Sequence, residues 1–126
     1  MHLSRLSTFV IDCKVDDLDP AEEFWSKALN RALGPPNPSA PGYRHLAAVE
    51  GAPTLVIQRV DHESRIHLDI ECNDLDAEVA RLERLGARRV RFVKRWWVMQ
   101  APTDHLFCVT DRQRPLAGKP DTNEWP

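Results

Sequence analysis

One stretch carries residue types suited to proton transfer or metal ligation. It is Arg65–Cys72, RIHLDIEC. Ile66, Leu68 and Ile70 alternate with Arg65, His67, Asp69 and Glu71, the period of a strand with one face in a core. The polar face thus holds a histidine and two carboxylates. An imidazole beside a carboxylate can orient a ligand, exchange a proton near neutral pH, or bind a metal ion. The same pair on a strand can equally well bond only to its neighbours. The other reactive side chains are Cys13, Cys72 and Cys108. Three is an odd number, and no two have the spacing of a zinc knuckle or a redox pair. Buried, free thiols in a reducing compartment are expected.

The elements that position these residues follow from the flanking pattern. After the strand, Asn73 or Asp74 offers a helix N-cap, with Asp76 in the first turn. Leu75, Val79, Leu82 and Leu85 then form one apolar stripe, and Gly86 stands where a helix stops in a left-handed residue. Upstream, Leu3–Cys13 reads as a first strand, with Phe9, Ile11 and Cys13 on one face and Thr8, Val10 and Asp12 on the other. A helix follows in DLDPAEEFWSKALN, with Asp19 as N-cap, Pro20 at the first position and Asn30 as the stop. Its apolar stripe is Phe24, Trp25, Ala28 and Leu29. The two units repeat. Thr8–Cys13 lies over His67–Cys72, so each strand ends in an acidic residue and a cysteine, and a helix containing DLD follows.

The proline-dense GPPNPSAPG, Gly34 to Gly42, reads as an extended surface loop, with a very short strand before it near 31–33. Strands are expected over Tyr43–Val49 and Thr54–Val60, then over Arg88–Val93, Trp96–Gln100 and Leu106–Thr110. Arg89 and Arg91 form the basic outer face of a solvated edge strand. Arg112 onward has no periodicity. The expected organisation is one domain over 1–111, with modules of about 3–60 and 65–111, and an irregular tail over 112–126. Each module runs βαβββ, an α+β arrangement.

At 126 residues and 14.4 kDa the chain can bury one core without staples. A net charge of -2 gives no footprint for nucleic acid or an anionic membrane. No signal peptide and no run of membrane-spanning length is visible. A cytoplasmic location is the expectation, with no nucleic-acid or membrane partner.

Three motifs carry a family resemblance. DLDPAEEFWSKALN resembles the acidic-Pro-helix signature of glyoxalase-like domains. RIHLDIECNDLDAEVARLERLGA resembles their HLD strand, DDL helix and LGA stop, and WWVMQAPTDHLFCV resembles their last hairpin. The match runs from about Leu6 to Val109. The family is the vicinal oxygen chelate superfamily, with glyoxalase I, fosfomycin and bleomycin resistance proteins and extradiol dioxygenases. The resemblance implies two βαβββ modules forming a curved mixed-sheet cup, a small-molecule ligand, and commonly a homodimer. In metal-using members, inward residues of the first and last strands hold a divalent ion that stabilises an enolate or oxyanion.

Carried over residue by residue, the family's metal positions fall on Thr8, His67, Leu106 and a residue near Thr54, with Gln58 the other candidate for the last. Only His67 is a metal ligand of the usual kind, and a catalytic ion needs about three protein ligands. Asp69, Asp104 and His105 do not stand at the family's positions. The resemblance therefore points to a cup that binds a small organic molecule with no metal and no other cofactor. The alternative is a divalent-metal lyase, isomerase or dioxygenase using His67. His67 and Asp69 are the candidates for acid–base chemistry. Thr8, Gln58, His67, Asp69, Trp97 and Met99 are the candidates for ligand contact, with Cys108 an inert wall residue. For Trp97 and Met99, simple packing is the competing reading.

Overall fold

The computed structural model describes residues 1–111 and 115–126. The elements in order are β1 (His2–Cys13), α1 (Asp19–Leu29), β2 (Tyr43–His45), β3 (Thr54–Arg59), β4 (Arg65–Cys72), α2 (Leu75–Arg84), β5 (Arg88–Val93), β6 (Trp96–Gln100), β7 (Leu106–Asp111) and β8 (Asn123–Trp125). This is an α+β chain with a mixed eight-stranded sheet. The second repeat runs βαβββ as expected. In the first, the short strand expected near 31–33 is a single bridge, Leu33 to Leu46. Two compact units divide the chain: a first over 8–67, and a second of 1–7 with 68–126. β1 and β4 each run through both.

In the first unit β3 lies parallel to β1, with Thr8 opposite Thr54 and Asp12 opposite Gln58. β2 joins β3 antiparallel, with Tyr43 opposite Gln58. The core gathers Ile11, Cys13, Leu18, Leu46 and Ile57, and Ala21 and Trp25 of α1 pack on it. Odd residues of β1 and β3 therefore turn toward α1, and Thr8, Val10, Asp12, Val56 and Gln58 turn away. Helix α1 ends as expected, with Asn30 left-handed at φ 51. Its start differs: Leu18 occupies the cap position without a side-chain bond, and the Asp17 carboxylate accepts from the Asp19 amide at 2.9 Å. Of the expected stripe, Trp25 packs, while Phe24 is 60% and Leu29 43% exposed.

In the second unit β4 is parallel to β7, and β7, β6 and β5 continue antiparallel. Asp74 is the cap of α2, accepting from the Ala77 amide at 3.1 Å. Val79 and Leu82 of the expected stripe are buried with Cys72, Met99 and Val109, and Ile70 packs against them. Each such side chain contributes about 1.5–3 kcal/mol. Leu85, the last of the stripe, lies exposed at the helix end, where Gly86 takes φ 108. Ile66 and Leu68, expected under a helix, are 60% and 41% exposed. Alternation correctly gave them one parity, but of that row only Ile70 joins a core cluster.

Of the segment expected to be irregular, residues 112–114 lie outside the described residues. Further on, β8 pairs antiparallel with β1, His2 opposite Trp125. The Trp125 indole donates to Ser4 Oγ at 2.9 Å, and the Arg81 guanidinium lies 3.8 Å over its ring. All three cysteines are free. No helix of the described residues is long and apolar enough to cross a membrane.

Candidate functional site

On the face of the first unit turned away from α1, the register builds a polar row. Tyr43 stands opposite Gln58 across β2 and β3, and Gln58 opposite Asp12 across β3 and β1. Gln58 Nε2 donates to the Tyr43 hydroxyl at 3.0 Å. The row ends on β4, where His67 Nδ1 lies 2.7 Å from Asp12 Oδ2. Asp12 is 2% exposed, so its carboxylate is shielded from water. The His67 side chain is 12% exposed. Arg65 Nε approaches the same Asp12 oxygen at 3.6 Å, beyond hydrogen-bond length, from a side chain 43% exposed. Asp12 Oδ1 is buried and has no hydrogen-bond partner among the described residues.

Tyr43 also borders a cleft of about 460 Å³ walled by the proline loop, with Pro35, Pro36, Pro38 and His45 among its lining residues. The row thus ends in a concave, partly apolar wall, the usual setting of a small-molecule site.

Thr8 is buried opposite Thr54 on this same face. Thr54 and Gln58, the two candidates for the remaining position, both share the face of Thr8, with Thr54 level with Thr8 and Gln58 level with Asp12. At the family's metal positions Thr8 offers a hydroxyl and Leu106 an alkyl chain, so the residues there do not fit an ion. Along β4 and β7, His67, Asp69 and Cys108 each present one ligand atom, all within 4.8 Å of one another. Asp69 and Cys108 are register partners.

Trp97 and Met99 are a correction. Met99 is fully buried beneath α2, and Trp97 packs against the same cluster. The register is the reason. Val98 pairs with Cys108, and Trp97 with Val109. Val109 belongs to the α2 core, so the odd residues of β6 go with it. Val98 and Cys108 share the face of Asp69 instead.

Asp12 was missed as a partner for His67, for which Asp69 had stood as the neighbouring carboxylate. One signal was present: Asp12 has the parity of Thr8, the repeat equivalent of His67. Cys13 and Cys72 are poorly suited to act as nucleophiles. Burial, and then the Asp12 charge, pushes the Cys13 thiol up. Burial, with Glu78 nearby, pushes Cys72 to about 12.

Residues 8–110 match the glyoxalase-like domain family. Among solved structures, methylmalonyl-CoA epimerase from Mycobacterium tuberculosis is 24% identical, with a TM-score of 0.58, over 90% of this chain and 91% of that one. A variant of Streptomyces coelicolor methylmalonyl-CoA epimerase in complex with 2-nitronate-propionyl-CoA is 19% identical, with a TM-score of 0.59, over 89% and 99%. A glyoxalase/bleomycin resistance protein/dioxygenase superfamily member from Vibrio splendidus is 13% identical, with a TM-score of 0.59, over 86% and 99%. No curated protein matches. At these identities the solved structures speak for the fold. With the repeat of strand and helix, the two parallel strand pairs β1–β3 and β4–β7, and a family match over most of its length, the chain belongs to the glyoxalase-like domain family.

Proposed function

We propose that the chain binds a small organic molecule on the sheet face carrying His67, without a metal at the family's ligand positions. The observation that carries this is the polar row Tyr43, Gln58 and Asp12, level across β2, β3 and β1, which His67 joins by its 2.7 Å contact with the buried Asp12. Its half-buried donors and acceptors would gain strength on a ligand that displaces water. His67 and Gln58 are the ligand contacts, Thr8 a wall of the same face, and Asp69 a further polar group on β4. A methylmalonyl-CoA epimerase of this fold is known in complex with methylmalonyl-CoA. That supports a small organic acid or acyl ester as the first class to try.

The test is a thermal-shift screen with carboxylic acids and acyl-CoA esters, repeated on His67→Ala. A shift in the wild type that shrinks at least about tenfold in affinity terms in the variant, about 1.4 kcal/mol, supports the reading. A bound compound whose affinity is unchanged by His67→Ala would sink it.

The metal-dependent lyase, isomerase or dioxygenase is the second reading, favoured by the three ligand atoms on β4 and β7. Protein purified without chelator or affinity tag is expected to carry no stoichiometric divalent metal. One tightly held equivalent of zinc, nickel, iron or manganese, lost in His67→Ala, would establish the second reading over the first. A homodimer at micromolar concentration is part of the proposal, since the sheet has edges at β2 and β5. Sedimentation as a monomer would remove it.

A further inference from the structure

We propose that Arg91 is the anion-recognition residue of the second unit: it takes the acid group of a small organic acid whose carbon chain lies over Val98 and Cys108. The inference rests on the reading that the chain binds such an acid, and it adds the group that holds the charged end.

The placement follows from an irregularity in β5. Strict alternation sets Arg89 and Arg91 on one face of that strand, and the structure separates them. Arg89 stands opposite Met99 and Arg91 opposite Val98, so the register shifts and Val90 is the extra residue. Trp97 shows the result. The Arg89 guanidinium lies 5.0 Å over its ring, and Phe92 meets the same ring at 5.2 Å in an edge arrangement. Trp97 packs in the α2 core, so Arg89 and Phe92 belong to the α2 side, and Arg91 turns to the other. A row then runs level across β5, β6, β7 and β4: Arg91, Val98, Cys108, Asp69. Arg88, opposite Gln100, adds a second cation to the same face.

The row changes in character along its length. A guanidinium stands at one end, an alkyl chain and a half-buried thiol in the middle, and a carboxylate at the other. A guanidinium holds a carboxylate or phosphate through two parallel N–H donors. Val98 and Cys108 give a carbon chain an apolar floor, since β5 and β7 are two strand spacings apart, about 10 Å. Asp69 repels negative charge, so the acid end of the ligand goes to Arg91.

Two observations favour a site over a solvated edge strand. Arg89 is paired with Glu83 at 3.1 Å, whereas Arg88 and Arg91 have no hydrogen-bond or ion-pair partner among the described residues. The bulge also brings Arg91 to the face of Asp69; without it Arg91 would join Arg89 on the α2 side. Re-aiming a side chain in this way is a recurrent use of bulges beside binding sites.

The experiment uses hexanoate and its uncharged amide, hexanamide, as probes. Protein with ¹³C-labelled valine methyl groups is titrated with each. The Val98 signals, assigned by their loss in Val98→Ile, report the middle of the row. Hexanoate is expected to move them saturably and to bind at least about tenfold tighter than hexanamide, the low end for a hydrogen bond to a charged group. Arg91→Gln should remove that preference. Arg89→Gln, on the same strand but the opposite face, should keep it. Both positions are exposed, so the fold survives either change. Val98 signals that stay still with hexanoate overturn the proposal. So does equal affinity for acid and amide in the wild type, a preference that survives Arg91→Gln, or one lost equally in Arg89→Gln. The site on His67 and this one fail separately. An Arg91-dependent response to hexanoate can stand beside a bound compound that ignores His67→Ala, and a His67-dependent ligand can stand beside a silent Val98.

Discussion

Asp12 and Glu71 occupy the same place in the two repeats, near the end of the repeat's first strand and just before a cysteine. Both are buried, at 2% and 1% exposure. Their partners differ in kind. Glu71 accepts from Arg5 Nε at 2.6 Å, and Arg5 also reaches Asp121 at 2.9 Å through Nη1. Burial opposes the charge on Arg5, but the bonds from Glu71 and Asp121 outweigh it and hold the guanidinium firmly charged. Asp12 meets an imidazole, with His67 Nδ1 at 2.7 Å from Oδ2. One repeat pairs its carboxylate with a guanidinium, and the other has set the same position beside an imidazole. The helices differ in parallel. α2 is capped by Asp74 and buries Val79 and Leu82, while α1 has no capping side chain and no fully buried residue. The second unit thus has the better capped and more deeply packed helix.

The comparison can be broken most forcefully at the helices. Leu82→Asp would bury an unpaired carboxylate against Val79 and Met99 and should cost several kcal/mol, a large share of a total near 5–15. Phe24→Asp, at an exposed site on α1, should fall within about 0.5 kcal/mol. Equal melting temperatures for the two variants would show the helices to be equivalent after all.

Next in size are the carboxylate partners. Arg5→Met leaves Glu71 buried without its guanidinium and should cost about 3–5 kcal/mol in urea unfolding. His67→Ala leaves Asp12 near Arg65 and a partly open face, and should cost about 1–3 kcal/mol. A larger loss for His67→Ala than for Arg5→Met would reverse this ranking.

A third prediction concerns acid. Burial alone would raise the Glu78 carboxyl, but bonds from Arg81, His2 and Ser4 outweigh it and hold the group below its ordinary 4.5. A depressed carboxyl adds stability that is fully present above 4.5 and is lost as pH falls through the folded-state value. Wild-type stability should therefore fall as pH drops below that point, and Glu78→Gln should show a flatter acid limb. Parallel acid limbs in the two proteins would remove Glu78 from the account. The smallest effect is a null one. Cys72, its thiol pushed up to about 12 by burial, should resist iodoacetamide at neutral pH in the folded protein. Rapid labelling without unfolding would contradict its burial.

Much of this architecture was legible in the chain. Alternation placed β1, β3, β4, β6 and β7, and Asn30 and Gly86 stop their helices in left-handed conformations as their residue types predict. Asp74 caps where a short polar acceptor is favoured. Asp19 does not, because Asp17 makes a competing local turn onto its amide. β8 was not legible: three residues without alternation gain strand form only by pairing with β1.

The site divides along the same line. Sequence alone determined that His67 shares a side with Asp69 and Glu71, that Asp12 shares a side with Thr8, and that Thr8 and Leu106 stand where ligands would be needed for an ion. Those are properties of a strand's period of two, a local geometry. Tertiary structure decided which strands lie side by side and in what register. It put Asp12 on His67, Gln58 level with Asp12, and Cys108 opposite Asp69. It also turned Trp97 and Met99 into the α2 core. Hydrogen bonds between distant segments set that register, and a shift of one residue would exchange the two faces of a strand.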